Sequence, residues 1–278
     1  MFDTHCHLNF EAFEGKVGEI VQAAGNAGVS HIVVPGTDLR TSEKAVEIAN
    51  KFENVYAAVG IHPHHIFQLQ EKGEETYRKD LDAIEALVSD PKVVAIGEVG
   101  LDRHYYSKTK YENYEVTSEF VRVQSDIFAE HVRLALKHRK SLIIHHREAK
   151  AQLLDVLAEV WDSHLSRRAV IHCCEPDLEL LDFAKKNRLF IGIDGDVTYD
   201  KKKMEFIKAV PLEMLVLETD SPFLIPEPHH SKPRDVRGPN VPAYLPLIAA
   251  KVAKLHSRGV EEIATTTFNN ASELFQSM

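Results

Sequence analysis

The sequence predicts a (β/α)₈ barrel of the TIM-barrel class, a single domain over residues 1–278. Three observations carry that prediction. Short apolar runs recur along the whole chain, segments with helical spacing alternate with them, and the runs number eight. Alternating strands and helices imply a parallel sheet, and eight strands are the number at which such a sheet closes. An open, doubly wound sheet is the competing architecture.

The runs fall at residues 1–2, 32–34, 55–59, 93–96, 142–144, 169–171, 189–191 and 214–217. Each is continuously apolar, which suits strands buried on both faces. The clearest helical segment between them places Phe120, Val123, Ile127 and Leu134 on one face, with charges around the rest. Thr117 or Ser118 is positioned to cap it. Residues 103–114, after the fourth run, and 222–242, after the eighth, read as long loops. No low-complexity segment, linker or internal repeat divides the chain.

At 278 residues the chain exceeds the usual domain length, yet α/β barrels commonly run to about 250 residues around one core. No apolar stretch is long enough to cross a bilayer. The opening Met1-Phe2-Asp3-Thr4-His5 lacks the basic-then-apolar pattern of a signal peptide, so a cytoplasmic protein without a membrane partner is expected. Cys6, Cys173 and Cys174 make an odd total that forms no disulfide framework, and the missing CxxC pair argues against a zinc ribbon. A formal charge of −9 argues against coating nucleic acid by bulk electrostatics. It leaves room for an enzyme that grips one phosphate with metals and local cations. A monomer is favoured over an oligomer.

The ends of the runs are the informative positions. His5 and His7 close the first, His62 follows the third, Glu98 closes the fourth, His145 the fifth and His172 the sixth, and Asp220 follows the eighth. Barrel active sites lie at the C-terminal ends of the strands, so these residues are expected on one rim. Side chains alternate along a strand, so His5 and His7 face one way and Cys6 the other. Taken alone, His-x-His is as well read as two polar residues. With four further ligand-type residues at equivalent positions it points to a divalent ion. Four imidazoles and two carboxylates exceed what one tetrahedral catalytic ion takes. Two divalent cations sharing Glu98 as a bridge would use them all, lowering the pKa of a shared water and clamping the attacked group. Mixed imidazole and carboxylate donors admit zinc, manganese, nickel or magnesium.

At these residues the sequence resembles the TatD family of metal-dependent hydrolases. The matching stretches are FDTHCHL at 2–8, GIHPH at 60–64, AIGEVGLD at 95–102, LIIHHR at 142–147, VIHCC at 170–174, LETDSPFL at 217–224 and RGPNVP at 237–242. They span nearly the whole chain in the family's order. The resemblance implies one metal on His5, His7, Glu98 and Asp220, and another on Glu98, His145 and His172. It also implies that Asp220, with Glu98 the expected catalytic pair, takes the proton of the attacking water. The chain departs from the family at Cys173-Cys174-Glu175-Pro176, where a Phe-Ser-Gly-like turn is usual. It departs again at Arg103-His104, where an aromatic residue is preferred.

Other rim residues carry two readings each. His62 and His64 either bind a substrate phosphate or belong to a polar loop stiffened by Pro63. Arg147, two residues beyond His145, either holds a phosphate oxygen bidentately or fixes the loop through a salt bridge. His229, His230, Lys232, Arg234 and Arg237 either guide an anionic polymer or form a solvated loop. Cys173 and Cys174 are expected as packing thiols, not nucleophiles. The leading expectation is a deoxyribonuclease that removes nucleotides from a DNA end or cuts at damaged sites. An ester or amide hydrolase, such as a D-aminoacyl-tRNA deacylase, is the alternative, and an ion-binding scaffold is the third possibility.

Overall fold

Eight strands pair in sequence order, each parallel to the next: β1 (Phe2–Asp3), β2 (His31–Pro35), β3 (Val55–Val59), β4 (Val93–Asp102), β5 (Ser141–Arg147), β6 (Ala169–Ile171), β7 (Phe190–Ile193) and β8 (Leu215–Leu217). Each overlaps one of the apolar runs. The seam between β8 and β1 is closed by backbone hydrogen bonds from Thr4 to Leu217 (3.0 Å), Asp220 to His5 (2.9 Å) and His7 to Ser221 (2.8 Å). This computed structural model describes residues 1–233 and 235–276, without the side chains of residues 70–72 and 74. Arg234 of the expected basic rim therefore lies outside the described residues.

Strand alternation builds two apolar layers. Val33, Ile143, Val170 and Val216 point into the barrel, while their neighbours Ile32, Leu142, Ile171 and Leu215 join the larger cluster beneath the helices. The inner layer is sealed at the strands' N-terminal end by the last helix (Val260–Leu274). Its Ala271 and Leu274, with Phe275 just beyond, pack in the cluster that holds Phe2 and Phe190. Truncating a plug residue such as Phe275 to Ala would cost about 3–5 kcal/mol. With that end filled, the opposite mouth is left for chemistry. No described helix is long and apolar enough to cross a membrane.

Two strand ends differ from the sequence reading. β4 and β5 do not stop at Glu98 and His145; they run on to Asp102 and Arg147. Apolarity gives out at this mouth because the barrel lining turns polar there, while the backbone pairing continues. Gly100 pairs with His145 across these strands, and a Cβ on it would sit 2.0 Å from the His145 carbonyl oxygen. Only glycine allows that approach. Of the two candidate caps, Thr117 is the one used: its hydroxyl accepts from the Phe120 N–H (3.1 Å) at the start of the helix Ser118–His138.

Candidate metal centre

The polar mouth holds a cavity of about 550 Å³ whose walls include His7, His62, His64, Glu98, His145, Arg147, His172 and Asp220. The chain past β1 stays extended, with Cys6 bridging to Ser221, so His5 and His7 share a side while Cys6 is buried in the outer core. The mouth brings all six expected ligands together. His5 Nε2 lies 3.2 Å from His7 Nε2, 3.4 Å from Glu98 Oε2 and 3.8 Å from Asp220 Oδ1. His7 Nε2 lies 3.6 Å and 3.5 Å from the same two carboxylate oxygens. The other oxygen of Glu98, Oε1, faces His145 Nδ1 at 2.7 Å and His172 Nε2 at 3.2 Å.

These spacings fit divalent cations. Two donors, each about 2.1 Å from a tetrahedral ion, stand about 3.4 Å apart, and the His5, His7, Glu98 and Asp220 separations cluster around that value. His5, His7 and Asp220 form one compact donor group, and Glu98, His145 and His172 another.

The centre draws positive charge. Burial opposes ionisation of Glu98, but the imidazoles of His62, His172 and His5 and the hydrogen bond with His145 hold its carboxyl well below the usual range. Burial likewise opposes charge on His145, yet its bonds to Asp102 and Glu98 carry its pKa up to about 9. His172 is pushed well up in the same way by Glu218 and Glu98. An anionic pocket of this kind takes up positive charge either as protons on imidazole or as metal cations.

Three acidic residues at the site went unassigned in the sequence reading. Asp102 Oδ2 faces His145 Nε2 at 3.1 Å and accepts from the Tyr106 hydroxyl at 2.6 Å. Glu218 Oε1 faces His172 Nδ1 at 3.2 Å and accepts from the Cys173 N–H. Room for the Glu218 carboxylate is made by Gly192, where a Cβ would meet Oε2 at 2.5 Å. Asp3 accepts from the N–H (2.9 Å) and hydroxyl (2.7 Å) of Thr219, fixing the residue before Asp220. The period-two signal was present: Asp102 is four residues past Glu98, and Glu218 two before Asp220.

His62 lies deeper than a rim residue. Its Nε2 is 3.4 Å from Glu98 Oε1, and its Nδ1 accepts from the His64 N–H (3.1 Å) to cap the helix Pro63–Lys72. His64 faces the cavity and pairs with Thr109 Oγ1 at 3.0 Å. Arg147 is exposed; its guanidinium lies 5.4 Å from the Tyr106 ring centroid and donates to that hydroxyl at 3.3 Å. Among the described residues it makes no salt bridge. Burial pushes the Cys174 thiol up to about 12, which leaves no thiolate there for nucleophilic attack. Within the expected basic rim, His229 is stacked on Tyr244 (4.1 Å) and His230 on Tyr199 (3.9 Å).

A closed parallel barrel with imidazoles and carboxylates gathered at its C-terminal mouth defines the class of metal-dependent barrel hydrolases. The family model described as TatD related DNase matches residues 2–276. A Bacillus subtilis protein named uncharacterized metal-dependent hydrolase YabD is 32% identical over 278 residues, covering 99% of each chain. The Escherichia coli K12 protein named 3'-5' ssDNA/RNA exonuclease TatD is also 32% identical, over 99% of this chain and 98% of its own. Among solved structures, the TatD homologue YjjV from Escherichia coli K12 superposes with a TM-score of 0.82 at 28% identity, covering 99% of this chain and 98% of its own. The chain belongs to the TatD family of metal-dependent hydrolases.

Proposed function

We propose that this chain is a two-metal phosphodiesterase that hydrolyses nucleic acid, with DNA ends or damaged DNA as its substrate. The observation that carries this reading is the divided carboxylate of Glu98, with Oε2 toward His5 and His7 and Oε1 toward His145 and His172. One cation would be held by His5, His7, Glu98 and Asp220, and the other by Glu98, His145 and His172. When bound, the pair supplies a water of lowered pKa and positive charge against the phosphate oxygens. Zinc, magnesium, manganese and nickel all suit this donor set.

The chain's own residues do the rest. The Asp220 side chain is 13% exposed and opens on the cavity, against 4% for Glu98. Asp220 is therefore the carboxylate placed to take a proton from the attacking water and pass it to solvent. Glu98, buried and held ionised, keeps the two halves in register. Arg147, with Tyr106 supporting its guanidinium, would hold a phosphate oxygen, and His62 and His64 line the same cavity. The name of the Escherichia coli relative, an exonuclease on single-stranded DNA and RNA, supports a nucleic-acid end as substrate.

The test uses chain stripped of metal and reloaded with defined ions, given end-labelled oligonucleotides and, separately, aminoacyl esters. Metal-dependent release of nucleotides is the expected result. Ester cleavage without nucleotide release would transfer the site to an ester hydrolase such as a D-aminoacyl-tRNA deacylase. Inactivity toward both would leave an ion-binding scaffold.

A further inference from the structure

We infer that Phe223, backed by Phe10, is a stacking shelf for the base of the nucleotide at the reacting end. This deepens the proposed nuclease reading and rests on it. Phe223 is a large apolar side chain left 51% exposed, and both it and Phe10 line the cavity at the barrel mouth. The turn that carries Asp220 also fixes Phe223, because the Phe223 N–H donates to the Asp220 carbonyl at 2.9 Å. Pro222, immediately before Phe223, stiffens the segment further.

The ring's orientation matters. Phe10 lies flat against His7, with centroids 4.3 Å apart and planes 18° apart, so one of its faces is already covered. Phe223 makes T-shaped contacts with both rings, at 70° to His7 and 75° to Phe10, with centroids 6.2 Å and 6.1 Å away. Neither contact is a stack, and with half of its surface exposed the Phe223 ring keeps area open to the cavity it lines. A planar ring fixed next to a candidate catalytic carboxylate, facing open space, suits a planar partner. In a nucleotide the planar part is the base, and the part for Arg147 and the cations is the phosphate. The cavity, at about 550 Å³, falls in the range of small-ligand pockets, roughly 300–1,000 Å³. It accommodates a single terminal nucleotide better than a base-paired end, which would bring its complementary nucleotide with it.

The test compares Phe223→Ala, Phe223→Leu and Phe223→Trp with the wild-type chain loaded with manganese. The substrates are a single-stranded oligonucleotide with an ordinary terminal base and the same strand ending in an abasic residue. Stacking predicts that Phe223→Ala raises KM about 5- to 100-fold on the ordinary end, with the effect on KM and not on kcat. Leu, which keeps apolar area without an aromatic face, should behave like Ala, and Trp should restore binding. On the abasic end the difference between wild type and Phe223→Ala should vanish, since the partner base is missing. Equal KM for wild type and Phe223→Ala on the ordinary end, or an equal rise on both ends, overturns the shelf while the nuclease reading stands. Failure of the wild type to release nucleotides from either strand overturns both.

Discussion

In one half of the metal centre, His145 and His172 each have the ring nitrogen turned away from Glu98 facing a buried carboxylate, Asp102 at 3.1 Å and Glu218 at 3.2 Å. In the other half, the Nδ1 atoms of His5 and His7 have no hydrogen-bond partner among the described residues. Those rings are oriented by packing: His5 lies flat on His172 at 3.8 Å, and His7 on Phe10 at 4.3 Å. The difference separates two ways of holding a ligand. A carboxylate behind an imidazole fixes its tautomer and raises its basicity. A stacked ring fixes direction but supplies no charge to raise basicity, and at His5 burial and the neighbouring His172 lower it. The half with His145 and His172 is therefore the one whose metal affinity the protein tunes electrostatically.

The largest effect is expected in the packed half, at Asp220. Its φ is 50°, in the left-handed region where Asn is among the best tolerated residues. Asp220→Asn should therefore leave the barrel folded while removing a negative donor and a proton acceptor. Loss of an acid-base group alone is worth about 10²–10⁴-fold in turnover, and weakened metal binding would add to it. Hydrolysis at saturating metal, with folding checked by circular dichroism, reads this out. Near-normal turnover would leave Asp220 as a turn residue.

A smaller effect separates the halves more cleanly. Asp102→Asn and Glu218→Gln should each weaken the cation of the His145 and His172 half by about 10–100-fold, with little change in the other. Calorimetric titration of the stripped chain should then show one of two binding phases displaced. If both phases shifted equally, the separation of supporting roles would be wrong. The smallest effect is expected at Phe10. Replacing it with Leu keeps apolar volume and loses ring stacking worth about 0.5–1.5 kcal/mol. The His5 and His7 phase should weaken by only a few fold, and the other phase should stay put.

Much of this architecture is legible in the sequence because a barrel strand buried on both faces must be continuously apolar. Each of the eight runs therefore marked a strand. The gathering of His5, His7, Glu98, His145, His172 and Asp220 followed from one rule about strand ends. What escaped was set by pairing and not by polarity. β4 continues through Gly97 and Gly100 to Asp102, so a residue beyond the expected strand end at Glu98 sits on the strand and faces His145. Glu218 lies inside the LETDSPFL stretch, but its partner His172 is far away in sequence and only the closed barrel joins them. His62 looked like a rim residue because GIHPH reads as a loop. The turn into the helix at Pro63 folds it inward, to 3.4 Å from Glu98.

If Glu98 joins two cation positions, metal content registers it without reference to any substrate. Wild-type and Glu98→Ala chains, equilibrated with zinc and dialysed, would be compared by elemental analysis, with circular dichroism as the control for folding. Two ions per wild-type chain are expected, one on His5, His7 and Asp220 and one on His145 and His172, with a fall at both positions in Glu98→Ala. Unchanged metal content, or loss of one ion with the other bound at wild-type affinity, would contradict it.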